Sequence, residues 1–248
     1  MLLITFFNHF GKYLLFLKGI FTRPEHLNVY VRRTLDEMYI IGNGSLTIVA
    51  IISIFTGAVT TVQTGYQLLS DWLSRTVIGS IVSDSVILEL APTITSLVLA
   101  GKIGSSIASE IGTMKVTEQI DALDVMGINS RGYIALPKII AGLIMIPCLI
   151  IIAMFLGISG GYFAGKFSGI LTPEQFIEGA QSSFRTFTLQ FSIIKSFTYA
   201  FIITSVSAYH GYQVTGGARE VGQASTRAVV YSCELILFSD YLLAQLML

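Results

Sequence analysis

Residues 139–161 read Ile-Ile-Ala-Gly-Leu-Ile-Met-Ile-Pro-Cys-Leu-Ile-Ile-Ile-Ala-Met-Phe-Leu-Gly-Ile-Ser-Gly-Gly, 23 positions without a charge. About 20 apolar residues in helical form cross a hydrocarbon layer ~30 Å thick, and in lipid a run of this kind satisfies its backbone hydrogen bonds within itself only as a helix. Working outward, four more stretches share this length and character, at roughly 44–63, 77–101, 189–209 and 228–246. The composition agrees. The 248-residue chain is 53% hydrophobic, and its charged fraction of 12% is about half the ~25% of a soluble domain. With a mean hydropathy of +0.73 there is too little polar side chain to coat a water-soluble globule. The reading is an all-α membrane protein with five transmembrane helices. A formal net charge of zero lacks the basic excess of a nucleic-acid binder, so no nucleic-acid partner is expected.

Lys and Arg are retained preferentially on the cytoplasmic side of a membrane. Lys12, Lys18, Arg23, Arg32, Arg33, Lys102, Lys115, Arg131, Lys138, Arg219 and Arg227 fall on one side of the five spans, and Arg75, Lys166 and Arg185 on the other. Eleven against three predicts a cytoplasmic N-terminus, cytoplasmic segments near 102–138 and 210–227, and a C-terminus on the far side. In residues 1–22, Leu3, Phe6, Phe7, Phe10, Leu14, Leu17 and Phe21 share one helical face opposite Thr5, Asn8, His9, Lys12 and Gly19. That pattern predicts an amphipathic helix in the membrane interface; a sixth short span is the alternative. No A-x-A cleavage site follows, so the segment is read as retained.

Residues 160–166, Gly-Gly-Tyr-Phe-Ala-Gly-Lys, match the first seven positions of a phosphate-binding loop, but Phe167 supplies no hydroxyl for Mg²⁺ and no strand precedes the segment. The glycines fit helix packing better. Gly157, Gly161 and Gly165 repeat every four residues, as do Ala100, Gly104, Ala108 and Gly112, and small-residue stripes admit close approach of a second helix. His9, His26 and His210 have no ligand spacing, so no metal site is expected.

Ionisable groups inside spans are costly and face a partner or a cavity. Glu89, Lys195 and Glu234 are of this kind. Glu89 precedes Pro92, whose missing N–H frees a carbonyl one turn earlier, so a kink and a polar pocket can coincide there. Lys195 either lines a substrate path or snorkels to the far-side interface. Asp84 and Asp240 are expected at far-side helix ends, in water.

The segment Glu110-Ile-Gly-Thr-Met-Lys-Val-Thr-Glu-Gln-Ile-Asp-Ala-Leu-Asp-Val-Met-Gly127 predicts a short cytoplasmic helix over about 116–126. Thr117 is placed to cap it, Glu118 and Asp121 suit its first turn, and Gly127 suits its end. Val116, Ile120 and Leu123 share a face. Such a stripe, with Gln119 beside it, calls for a groove on a separate cytoplasmic subunit. A membrane-surface helix is the alternative, poorly suited to an anionic leaflet because of Glu118, Asp121 and Asp124.

In Glu89-Leu-Ala-Pro92, Leu99-Ala-Gly-Lys-Ile-Gly-Ser105, Glu110-Ile-Gly-Thr-Met-Lys-Val-Thr-Glu-Gln119, Ile194-Lys195-Ser196 and Thr226-Arg-Ala-Val-Val230 with Asp240 beyond, the chain resembles the MlaE-type permeases. These are membrane subunits of ABC transporters that move phospholipid in Gram-negative envelopes. The resemblance implies one permease domain over 1–248, a homodimer in the bacterial inner membrane, and a coupling helix at 116–126 docked on an ABC ATPase subunit. It implies an MCE-domain lipid-binding protein on the periplasmic side, a phospholipid substrate, and no cofactor on this chain, with ATP and Mg on the ATPase. By the same resemblance Glu89, Pro92 and Lys195 lie on the lipid path, and the chain is a transport subunit, not an enzyme. Leu88 and Ala91 depart from the family pattern, which often has Arg and Gly there. The rival reading, an ATP-independent secondary transporter or channel using Glu89, Lys195 and Glu234, lacks the internal repeat usual for that class.

Overall fold

The computed structural model describes residues 2–20, 22, 27–68 and 74–247, and all regular structure among them is helical. In chain order the helices are α1 (Leu2–Ile20), α2 (Leu27–Gln67), α3 (Thr76–Val116), α4 (Gln119–Val125), α5 (Ser130–Ser168), α6 (Pro173–Ser183), α7 (Thr186–Tyr212) and α8 (Ala218–Met247). Five of them, α2, α3, α5, α7 and α8, are long and apolar enough to cross a membrane. All five outrun the apolar stretches that announce them. At ~1.5 Å per residue the 41-residue α2 is about 60 Å long, twice the hydrocarbon thickness. Hydropathy marks only the part that lipid must solvate, while Leu27–Ile41, which carries Arg32, Arg33, Asp36 and Glu37, extends the same helix beyond it.

The chain forms two compact units, and the long helices contribute to both. The first comprises residues 1–41, 99–145 and 200–235. Here α1 lies against α7: Tyr13 and Ser205 share a 2.7 Å hydrogen bond, and the Phe16 ring meets Tyr209 and Tyr212 at 5.8 and 5.5 Å. Phe16 and Ile20 are buried, whereas Leu14 is exposed. Of the face expected in the interface, Leu14 is open and Leu17 half-buried, while Phe16 and Ile20 face the protein; the side chains of Leu3, Phe6, Phe7, Phe10 and Phe21 lie outside those described. Small residues bring α3 and α7 together. A Cβ on Gly104 would lie 2.9 Å from the Ser207 hydroxyl, and one on Gly211 would lie 2.8 Å from the Ala108 carbonyl.

The second unit comprises residues 42–98, 146–199 and 236–248. Its tightest crossing is α2 on α5, where Gly57 meets the Gly157 carbonyl and Gly160 meets the Ile54 carbonyl with no room for a methyl group. Gly161 belongs to the same seam, since a Cβ there would lie 2.6 Å from Thr61 Oγ1. Gly165 faces Thr61 too, but there a Cβ would stand 3.5 Å from its nearest neighbours, in ordinary contact, so a methyl group fits. Gly165→Ala is therefore expected to leave the thermal midpoint of the purified chain unchanged or raise it slightly, as Ala is favoured over Gly in helices by up to ~1 kcal/mol. A clear fall would show that the seam has no room for a methyl group at Gly165.

Helix α6 is an element the sequence reading left out. Its start is a full capping box, with Thr172 Oγ1 accepting from the Gln175 N–H, the Gln175 side chain accepting from the Thr172 N–H, and Pro173 in the first turn. Its glycine face packs on the beginning of α3, where Gly179 meets the Thr76 carbonyl and Gly79 the Phe176 backbone.

Candidate functional site

Within the second unit α3 is π-wound over Val86–Ile94, a geometry that recurs at functional positions in helices. Pro92 lies inside that stretch and has no N–H to give to the preceding turn. Lys195 of α7 reaches this stretch. Its ammonium lies 3.2 Å from the Leu88 oxygen, 2.6 Å from Glu89 Oε1 and 2.5 Å from Asp240 Oδ1 of α8. Two further groups complete the cluster. Tyr199, one turn along α7, donates its hydroxyl to Asp240 Oδ1 at 2.8 Å, and Thr93, one turn along α3, donates to Asp240 Oδ2 at 3.2 Å. The Phe191 ring lies 4.7 Å from the ammonium.

Lys195 and Tyr199 are fully buried. The Asp240 side chain is 18% exposed and that of Glu89 46%, so the cluster is closed on the Asp240 side and open on the Glu89 side. One cation against two carboxylates leaves a net charge of −1 when all three are ionised. Ion pairs so short, with each carboxylate also hydrogen-bonded, are strong and tie three helices together.

The expected residues Glu89, Pro92 and Lys195 are thus brought to one place. Two expectations change. Lys195 does not snorkel: its ammonium finds two anions and a carbonyl without leaving the helix bundle. Asp240 is not solvated at a helix end, because it is the second counter-ion of Lys195. Glu234 is exposed on α8 and takes no part in the cluster. Tyr199 and Thr93 went unnoticed, although each stands at i+4 from a residue already singled out, on the same helical face.

In the first unit, α4 follows α3 through a two-residue turn. Thr117 does not cap α4. Its hydroxyl donates to the Thr113 carbonyl at 2.8 Å, closing α3, and the turn is made by Glu118 in a left-handed conformation, φ 59°. Lys115 braces the turn with a 2.6 Å ion pair to Asp121, and Gln119 donates to Thr117 Oγ1 at 3.0 Å. At the other end Gly127, φ 79°, closes a Schellman motif, with Ile128 N–H donating to Leu123 O and Gly127 N–H to Asp124 O.

The face of α4 differs from expectation. Ile120 is fully buried and Val116 packs on Val214, Val221 and Ala224, so this side of the stripe is used up within the chain. Leu123 is half-buried. The apolar groups left outside are Val125, 89% exposed, and Met126, beside exposed Glu118, Gln119, Asp121 and Asp124. The heptad-like spacing of Val116, Ile120 and Leu123 locates a buried face but does not say which protein buries it.

The family model described as Permease MlaE matches residues 34–246. A probable ABC transporter permease protein of Rickettsia bellii is 36% identical over 236 residues, covering 95% of this chain and 91% of that one. A probable ABC transporter permease protein of Synechocystis is 35% identical over 216 residues, 87% of this chain and 82% of the relative. The intermembrane phospholipid transport system permease protein MlaE of Haemophilus influenzae is 29% identical over 245 residues, 98% and 94% of the two chains. With five helices able to span a membrane and a family match running from the first of them to the last, the chain belongs to the MlaE permease family.

Proposed function

We propose that the chain is the permease subunit of an ATP-driven transporter that moves phospholipid between membranes of a Gram-negative-type envelope. Hydrolysis takes place on a separate ABC ATPase docked on α4, an MCE-domain lipid-binding protein acts on the periplasmic side, and two copies of the chain form a homodimer in the inner membrane. The observation that carries this reading is the buried Lys195 cluster. A cation held in an otherwise apolar bundle, with one fixed counter-ion and one half-exposed counter-ion, can exchange Glu89 for the phosphate of a lipid whose acyl chains lie along the helices. Membership of the family, and the phospholipid transport named for the Haemophilus relative, support the substrate class.

Orientation follows from charge. Ten of the eleven Lys and Arg of the basic side, all but Arg23, which lies outside the described residues, belong to the unit that contains α1 and α4, which favours that unit, and the N-terminus, on the cytoplasmic side. There α4 offers an apolar tip with acidic neighbours, the shape and charge that a basic-rimmed groove would take.

Mass spectrometry of the tagged chain, purified gently from its own membranes, tests the assembly. An ABC ATPase and an MCE-domain protein are expected in fixed ratio to it; their absence from a demonstrably preserved complex would remove the reading and favour the ion-relay alternative. Replacing the α4 tip, Val125→Ser with Met126→Ser, is expected to weaken ATPase binding at least tenfold, since apolar anchors at interface centres are worth ~2 kcal/mol or more. Both side chains are exposed, so the isolated chain should melt unchanged. Co-purification at the wild-type level after titrating the ATPase would show that the docking surface lies elsewhere.

A further inference from the structure

Lys138 of α5 is, with Lys195, one of two buried lysines among the described residues, 2% exposed, and it too is shared by two carboxylates. Its ammonium donates to Glu110 Oε2 of α3 at 2.8 Å and to Glu37 of α2. All three residues lie in the first unit, and the cluster ties α2, α3 and α5 together. Buried ion clusters seldom add stability beyond what apolar side chains of the same size would give. Here the lysine is buried, the Glu37 side chain is 18% exposed and that of Glu110 is 52% exposed, so the pairs are a weak source of stability and the charges call for another role.

Their place in the chain indicates one. Glu110 stands less than two helical turns before Val116, where α3 ends. Beyond that end, the Lys115–Asp121 pair fastens α4 to the last turn of α3, and buried Ile120 holds it from inside. Displacement of α4 is carried back to Glu110 by rigid helix, and from Glu110 a polar connection to both α5 and α2 runs through Lys138.

We propose that Lys138 is a positioning residue that hands displacement of α4 on to α2 and α5, so that three helices answer the docked partner as one body. This rests on α4 being the ATPase contact. Loss of Lys138 would leave α4 docked and the ATPase turning over, with the movement dissipated at α3.

The test uses the whole complex, with ATPase and lipid-binding partner, reconstituted in phospholipid vesicles, and measures lipid transferred per ATP hydrolysed. In the neutral variant Lys138→Met/Glu37→Gln/Glu110→Gln this ratio is expected to fall about threefold to thirtyfold, the range seen when coupling residues are changed. The thermal midpoint and the amount of bound ATPase should stay at wild type. Lys138→Arg, which keeps the charge, should retain at least half of the ratio. A neutral variant at the wild-type ratio overturns the proposal, as does a Lys138→Arg variant that falls equally far. Should the neutral variant not fold, Glu110→Gln decides, because Lys138 keeps Glu37 there: a threefold fall supports the relay and an unchanged ratio overturns it. A wild-type complex that moves no lipid with ATP would overturn the functional reading and the relay with it, and the wild-type control separates that result from failure of the relay alone.

Discussion

Lys195→Met is expected to abolish lipid transfer and to lower the stability of the chain by ~3–5 kcal/mol, the cost of leaving a buried charge without its partner. The loss falls mainly on Asp240, whose side chain is 18% exposed and whose oxygens are aimed at the ammonium by Tyr199 and Thr93. Glu89 is 46% exposed and can turn outward, so it adds less. The Leu88 carbonyl loses its contact with the ammonium as well. Thermal unfolding in detergent measures the first effect, and transfer between vesicles by the assembled complex measures the second.

The double variant Lys195→Met/Asp240→Asn separates the two. Removing the stranded charge should restore most of the stability while transfer stays lost, because the ammonium proposed to meet the lipid phosphate is still gone. A single variant as stable as wild type would mean that the cluster does not hold α3, α7 and α8. Recovery of transfer in the double variant would show that charge balance, not the cation itself, is what transport requires.

Gly57→Leu should be the most damaging apolar substitution in the molecule. Extra methylenes in a packed core cost ~1–3 kcal/mol when neighbouring side chains can shift. At Gly57 the obstacle is the Gly157 main chain, which has no rotamer to change, and Gly160 fixes α5 against Ile54 one turn away. The two helices must separate along the whole seam, so the yield of folded, monodisperse protein is expected to collapse. Gly101→Leu is the control, since a side chain there meets open space. Equal yields for the two variants would disprove the close crossing of α2 and α5.

Much of this was legible in the residues. Five spans follow from apolar length alone, because the free energy of placing a 20-residue helix in hydrocarbon is a sum over its own side chains. The end of α4 at Gly127 was legible for a similar reason: a left-handed position after a helix favours glycine wherever it occurs. The start of α6 was equally readable in Thr172-Pro-Glu-Gln175, a local capping signal that an eye set on apolar runs passes over. Glu89, Pro92 and Lys195 stood out because a charge or a helix-breaking proline in a span needs a partner to satisfy it.

Which partner is a different kind of question. Asp240 lies 45 residues after Lys195, and Glu89 lies 106 before it. No periodicity links them, so a carboxylate near the end of a span reads as solvated until α8 is seen beside α7. The same holds for Lys138, which counts in the sequence as one more basic residue of the basic side and in the fold as a buried link between Glu37 and Glu110. For Ile120 the pattern locates an apolar face, and only the packing around α4 shows that the chain buries it itself and leaves Val125 and Met126 outside. Sequence by itself determined the solvent, the spans and the charges that had to be answered, since these are properties of single helices. Tertiary structure alone decided which charge answers which and which face remains free, because those depend on side chains that meet only after the helices have packed.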